Sequence, residues 1–314
     1  MRHHTFTTRP IAAAVSLALL TMGSAWAQSN PADASKDGMN FDQIVVTGTS
    51  TAKSKMKQSV SVSTLSAEQM EKTGATSAAE LLRAIPGVRS ESSGGEGNAN
   101  ITVRGVPLSA GGSRYVQLQE DGLPLILFGD VSFGTADQFL RADFNVDRLE
   151  VIRGGSASTL ATNSPGGIVN FISKTGAEAG GSAALTAGLQ QRQTRLDVDY
   201  GGSLGPRTTF HIGGFQRTGE GARAAGFNTE NGGQIRANIT QQLDNGYIRF
   251  SVKSLEDRTP TLLPVPVTVS NGQIKAINGI DPRTAFFITP SLPTDRSLNH
   301  DGGFTASNTR DGLR

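Results

Sequence analysis

Two hydrophobic periodicities divide the chain. From Gly181 onward apolar and polar residues alternate with period two: Leu185, Ala187 and Leu189 against Thr186 and Gly188, then Leu196, Val198 and Tyr200 against Arg195, Asp197 and Asp199. Ile235, Ala237 and Ile239 alternate with Arg236 and Asn238, while Phe210 and Ile212, and later Ile248, Phe250 and Val252, keep the same beat. Successive side chains of a strand point to opposite faces, so residues 181–255 are expected to form about five strands of ~10 residues, each with one apolar and one polar face. Leu204-Gly205-Pro206 and Asp244-Asn245-Gly246 are short connectors of hairpin type, whereas 218–233 and the Pro- and Asn-rich 256–314 are long. Taken alone, this pattern fits lipid-facing and lumen-facing barrel strands, and it fits a soluble sandwich with one wet face.

Upstream the texture is mixed. Ser66-Ala67-Glu68-Gln69 has the S-x-x-Q spacing in which a serine hydroxyl and a glutamine side chain cap each other's backbone amides, and Gly74 can supply a left-handed stop. Ser77 and Glu80 repeat the device ahead of Leu81, Leu82 and Ile85, and Pro86-Gly87 ends that second short helix. Strands are then expected at Val88, at Ile101, Val103 and Val106 beyond a loop at 92–100, and at 115–118, followed by the turn Asp121-Gly122-Leu123-Pro124 and an apolar loop at 125–128. Over 146–172 a short apolar strand holding Leu149 and Val151 ends in Arg153-Gly154-Gly155, crosses Ser and Thr, and re-enters a second apolar strand through Pro165-Gly166-Gly167. Ahead of all this stands a β-branched run, Asp42, Gln43, Ile44, Val45, Val46, Thr47 and Gly48, with polar sequence on either side. Such a bare strand suits pairing with a partner's sheet edge, and it also suits the first strand of the next domain.

Composition narrows the class. Arg2 and Arg9 precede an apolar run at 11–20, and Ala25-Trp26-Ala27 follows as a small-x-small site, the layout of a cleaved secretory signal peptide over 1–27. A membrane anchor would need ~20 apolar residues, more than this run holds. With no cysteine, disulfides and thiolate metal sites are excluded. A net charge of +2 with dispersed Lys and Arg, and aromatics at only 6%, argue against nucleic acid as a partner. The 38 glycines favour turns and closely packed strands.

Several separate stretches resemble the plug domain of TonB-dependent outer-membrane receptors. They are A-E-L-L-R-A-I-P-G-V at 79–88, I-T-V-R-G at 101–105, E-D-G-L-P at 120–124, L-E-V-I-R-G at 149–154, and the closing G-G-x-V-N-x-I. Gly155 departs from the family, which more often has Pro there. The resemblance covers roughly 42–174 and implies a particular fold class: an α+β plug domain (50–175) followed by antiparallel β strands of an incomplete transmembrane β-barrel. It implies that residues 42–48, within a leader at 28–49, are a Ton box binding the periplasmic coupling protein TonB. It implies that Arg104 and Arg153 form a latch with carboxylates of the barrel wall. The plug loops would face arriving ligand, so Arg114, Tyr115, Phe128 and Asp130 are candidate contacts. Partners on this reading are TonB, an extracellular ligand such as a ferric siderophore, and outer-membrane lipids; no cofactor is expected.

Other chemistry finds little support. Gly201-Gly202-Ser203-Leu204-Gly205 matches G-x-S-x-G, but Pro206 and another alternating strand follow where a nucleophile elbow needs a helix. Residues 219–224 match G-x-G-x-x-A without a leading strand. His3, His4, His211 and His300 have no ligand spacing. A ~22-stranded transporter barrel needs far more than five strands, so the chain is expected to be an N-terminal portion or truncated form of a receptor. The short interval from Ala27 to Asp42 leaves no room for a signalling domain ahead of the Ton box, which favours plain transport. The alternative, from another class, is a secreted soluble β-rich binding module or adhesin.

Overall fold

The computed structural model describes residues 44–45, 53–54 and 61–276, except for 93, 107–112, 127–134, 155–160, 163, 190–191, 222–226, 261 and 263–266. The signal-peptide reading of 1–27 therefore lies outside the described residues, as do Asp42, Gln43, Val46, Thr47, Gly48, Phe128 and Asp130. Of the Ton-box-like run, Ile44–Val45 (β1) pairs antiparallel with Lys53–Ser54 (β2), Ile44 opposite Ser54 and Val45 opposite Lys53. This two-stranded sheet is separate from the larger ones.

Both capping boxes form. Ahead of Ala67–Thr73 (α1), the Ser66 hydroxyl accepts from the Gln69 amide at 3.3 Å and Gln69 Oε1 accepts from the Ser66 amide at 3.0 Å; Gly74 ends the helix at φ 63°. Ser77 and Glu80 do the same for Ala78–Arg83 (α2), whose Ala78, Ala79, Leu81 and Leu82 are buried. Each box satisfies amides that a helix start leaves without partners, which is how helices of two turns or fewer persist.

These helices cover a five-stranded mixed sheet made of Val62–Ser66 (β3), Val116–Glu120 (β6), Leu123–Pro124 (β7), Val146–Arg153 (β8) and Gly167–Ser173 (β9), in the order β3-β8-β9-β6-β7. Val88–Glu91 (β4) and Asn100–Val103 (β5) form a separate antiparallel pair. The two apolar strands expected around the 153–167 turn are neighbours, β8 and β9, paired antiparallel, while β6 joins β9 in parallel. Every residue of β9 is buried, which explains its near-continuous apolar sequence: a strand covered on both faces has no wet side to alternate with. One face packs under the helices with Leu65, Leu81, Leu82, Leu118, Leu149, Val169 and Phe171, and the other carries a small cluster of Val62, Ile152 and Ile168. Val106, expected in a strand, lies past the turn that follows β5, because the extended run ends at Val103 and Arg104 adopts φ 51°.

The alternating half folds as an antiparallel meander: Gly180–Gly188 (β10), Gln193–Gly205 (β11), Thr208–Gly219 (β12), Glu230–Leu243 (β13) and Gly246–Arg258 (β14), hydrogen-bonded in sequence order. The strands outrun the apolar pattern at their ends. The β11–β12 turn is Pro206-Arg207 rather than 204–206, the long connector contracts to 220–229, and the segment after 255 is not all loop, since it holds a hairpin, Val267–Ser270 (β15) with Gln273–Ala276 (β16). Backbone pairing extends strands beyond the residues whose side chains alternate, so the pattern underestimates their length. Among the described residues the sheet is open, with β10 and β14 at its edges. Leu118 is fully buried and Leu123, five residues on, is 71% exposed. Leu118→Ala is expected to cost about 2–5 kcal/mol and Leu123→Ala no more than about 0.5 kcal/mol, read by denaturant unfolding.

Candidate functional site: the seat of the plug against the sheet

The polar faces of β11 to β14 turn toward the helix-capped sheet and the apolar faces turn away. Val198, Tyr200, Ile212, Ile235, Ile239, Ile248, Phe250 and Val252 are exposed, whereas Arg195, Asp197, Asp199, His211, Arg217, Gln234 and Thr240 are buried. A soluble sheet has the opposite arrangement. An apolar outer band with a polar inner face is what a lipid-spanning strand presents, and no helix among the described residues is long and apolar enough to cross a membrane.

The inner face meets the α+β unit through charge. At the ends of β12 to β14 remote from the 206–207 and 244–245 turns, Arg141 Nε donates to Asp257 Oδ2 at 2.6 Å, and Arg217 grips the same carboxylate with Nε (3.0 Å) and Nη2 (2.6 Å) while its Nη1 donates to Glu96. The Arg217 and Asp257 side chains have no exposed surface. Midway along, Glu120 accepts from Lys253 Nζ at 2.8 and 2.9 Å and lies 3.2 Å from Arg236 Nη1, and Arg236 Nη2 also donates to the Ser173 hydroxyl at 2.8 Å. Gln234 donates to Asp143 at 2.7 Å, and Arg195, which stacks on Phe215 at 4.0 Å and pairs with Asp197, donates to the Ala142 carbonyl at 2.5 Å.

The connection between the two halves is tied three ways at Lys174. Its amide donates to the Asn145 carbonyl at 2.8 Å, its carbonyl accepts from Asn238 at 2.8 Å, and its ammonium pairs with Asp199, which also meets His211 Nε2 at 3.0 Å. Gly176 follows at φ 73°, pressed so close to β12 that an added Cβ would sit 1.8 Å from the Phe210 carbonyl oxygen. No side chain fits there.

The residues singled out from sequence occupy a different place. Arg104 donates to the Ser61 hydroxyl at 2.9 Å, and Arg153 donates to the Pro86 carbonyl at 2.8 Å. They lie together beside Gly87, where an added Cβ would be 3.4 Å from Arg153 Nη1 and 3.9 Å from Arg104 Cγ. Neither is ion-paired with a carboxylate among the described residues, and Arg153 Nε is buried without a hydrogen-bond partner. Burial, and then the charge of Arg104, hold the Arg153 guanidinium below its ordinary pKa. Arg114 is exposed with its guanidinium 5.6 Å from the Tyr115 ring centroid, so these two candidates are brought together. Glu96, Glu120, Arg141 and Asp143 were not singled out. Their signal lay in the other half: Arg195, Asp197, Asp199 and Arg236 occupy the polar phase of the strands, and charges on a buried face require opposite charges from whatever fills the space.

A capped α+β plug seated on the polar face of an opened barrel wall defines the class. Residues 54–168 match the family model described as TonB-dependent Receptor Plug Domain, so the chain carries a plug domain of this kind. It is 29% identical over 196 residues to the ferric enterobactin receptor of Pseudomonas aeruginosa, covering 57% of this chain and 26% of that protein. It is likewise 29% identical over 173 residues to the vitamin B12 transporter BtuB of Vibrio cholerae, covering 54% of this chain and 27% of that one. The chain thus spans about a quarter of the length of these curated relatives. The fold is similar to that of the alcaligin outer-membrane receptor FauA of Bordetella pertussis, with a TM-score of 0.52 at 19% identity over 67% of this chain and 34% of that one.

Two outcomes follow from the seat. Removing Asp257 strands two buried guanidiniums, so Asp257→Ala is expected to destabilise the docked plug by about 3–5 kcal/mol, while Arg207→Ala, which breaks the exposed pair with Asp244, should change it by less than about 1 kcal/mol; denaturant unfolding in detergent measures both. In the plug, burial raises the Asp137 carboxyl above its ordinary pKa even though the Ala99 amide donates to it at 2.9 Å. Its folded form holds the proton more tightly, so its contribution is complete below the unfolded pKa and is lost as pH rises through the folded one. Asp137→Asn should remove that part of the pH dependence of stability.

Proposed function

We propose that this chain is the plug and opening wall of a receptor that takes a scarce, large nutrient such as a ferric siderophore across the outer membrane, energised by TonB. The observation that carries the proposal is the polar seat: a compact plug held to the lumen face of the wall by ion pairs and hydrogen bonds, with the apolar face of the wall turned outward. A soluble binding module would hide that apolar face. Relatives named for ferric enterobactin support the siderophore class, while those named for vitamin B12 share the scaffold.

In this reading export uses the signal peptide at 1–27, and the Ton box at 42–48 docks on TonB by backbone pairing. The separation of β1 from the plug sheet supports such docking, because a strand outside the fold can be recruited without unmaking the plug. Arg104 and Arg153, side by side and without a carboxylate among the described residues, would take theirs from further wall strands, and the orphaned Arg153 Nε marks a donor still to be met. Arg114 and Tyr115 present a cation over an aromatic ring and, with Phe128 and Asp130, would meet ligand.

Val46→Pro is expected to abolish capture of the TonB C-terminal domain, as deletion of 42–49 should, since proline removes an amide donor and fixes φ. Capture undiminished by both changes would refute the docking role.

A further inference from the structure

The middle of the seat is organised by a turn of the plug. β6 and β7 form a hairpin, Gln119 opposite Pro124 and Glu120 opposite Leu123, closed by Asp121 at φ 50° and Gly122 at φ 86°. Positive φ at both central residues is the two-residue hairpin geometry that Asp-Gly favours. Three bonds clasp the turn to β9. The Asp121 amide donates to the Phe171 carbonyl at 2.9 Å, the Gly122 amide donates to Asn170 Oδ1 at 3.0 Å, and Asp121 Oδ1 accepts from the Ser173 amide at 2.8 Å. A fourth bond reaches beyond the plug. The Ser173 hydroxyl donates to Asp121 Oδ2 at 2.7 Å and accepts from Arg236 Nη2 of the wall at 2.8 Å. The other terminal nitrogen of that guanidinium, Nη1, lies 3.2 Å from Glu120, which also holds Lys253.

A hydroxyl has one hydrogen to give and two lone pairs to offer. Committing that hydrogen to Asp121 turns the lone pairs of Ser173 toward Arg236, which can only donate. Without the carboxylate the hydrogen is free to rotate toward the guanidinium, where it meets no acceptor. The relay also sets a negative charge behind the bond, and a hydrogen-bonded chain that ends in an ion is strengthened by it. We propose that Asp121 is a positioning residue of the seat: through Ser173 it presents a polarised acceptor to Arg236, so that neighbouring residues 120 and 121 hold the two arms of one guanidinium. This rests on reading 61–174 as a plug seated on a wall. Ser173 is 7% exposed and the Arg236 side chain 12%, so water competes poorly for either. The outer ends of the hairpin lead in sequence to Arg114 and Tyr115 on one side and to Phe128 and Asp130 on the other. The turn therefore fastens to the wall the segment that carries all the candidate ligand contacts.

Lys253 reports on this contact, because its ammonium is held by Glu120 and the Phe139 carbonyl beside Arg236. The test is amine acylation of Lys253 in the full chain in detergent, read by mass spectrometry and normalised to Lys72, whose side chain is 67% exposed. Labelling of Lys253 should be slow in the wild type. Asp121→Asn keeps a residue that tolerates the left-handed turn but offers one acceptor oxygen in place of two, and it should speed labelling several-fold. Arg236→Gln should do so as well. Combined, the two changes should do no more than Arg236→Gln alone, because Asp121 acts through that guanidinium. A carboxylate that only shapes the turn would instead multiply the effect of Arg236→Gln. Such multiplication, or unchanged labelling in Asp121→Asn, would overturn the proposal. Should Asp121→Asn fail to fold, Ser173→Ala takes its place in the cycle and is judged by the same rule. Wild-type Lys253 acylated as fast as Lys72 would mean an open seat, and would refute the plug reading itself.

Discussion

Arg217 has no exposed side-chain surface, and a guanidinium so placed costs several kcal/mol unless carboxylates meet it. Wall and plug share that demand. Asp257 supplies one carboxylate from the neighbouring strands, Glu96 of the plug supplies the other, and Arg141 of the plug then balances Asp257. The same logic recurs lower down, where Lys253 and Arg236 converge on Glu120, and at the connection, where Lys174 meets Asp199. The wall's inner face is therefore complete only with the plug in place, and the register between the two is set by charge matching rather than by apolar contact.

This division separates the stability of the plug from its attachment. Its own core is apolar, built from β9 and its neighbours under two capped helices, and does not require the wall for closure. Attachment is made of hydrogen bonds and ion pairs, which water can replace when the surfaces part. A plug joined through leucines would expose apolar surface on leaving. One joined through Glu96, Glu120, Asp143 and Lys174 exposes groups that hydrate readily, and Gly176 keeps the chain continuous where it passes tightly under β12. A polar seat thus combines a defined docking register with a modest barrier to separation.

Where the pattern depended on neighbours in sequence, it was legible. Ser66 with Gln69 and Ser77 with Glu80 cap their helices, Gly74 ends one, and the alternation after Gly181 marks five antiparallel strands. These features are decided within a few residues, by amides that need acceptors and by a pleat of period two. The motifs that resembled the plug family lie on α2 and the start of β4, on β5, on the β6–β7 turn, on β8 and on β9. Turn positions were less legible: β11 continues through Gly205, and β13 begins at Glu230, inside what the side-chain pattern marked as loop.

What the chain determined on its own was the kind of each element and the chemistry of each face, because both follow from local hydrogen bonding and side-chain direction. Only the tertiary structure decided which charges meet. Arg104 and Arg153 stand out in sequence by their Arg-Gly motifs, yet they come to rest beside each other. Glu96 sits in a glycine-rich loop with nothing to mark it, and its partner Arg217 is 121 residues away. A salt bridge across such a separation leaves no periodic trace, since the distance between its members is fixed by how the plug sits in the wall and not by any spacing along the chain.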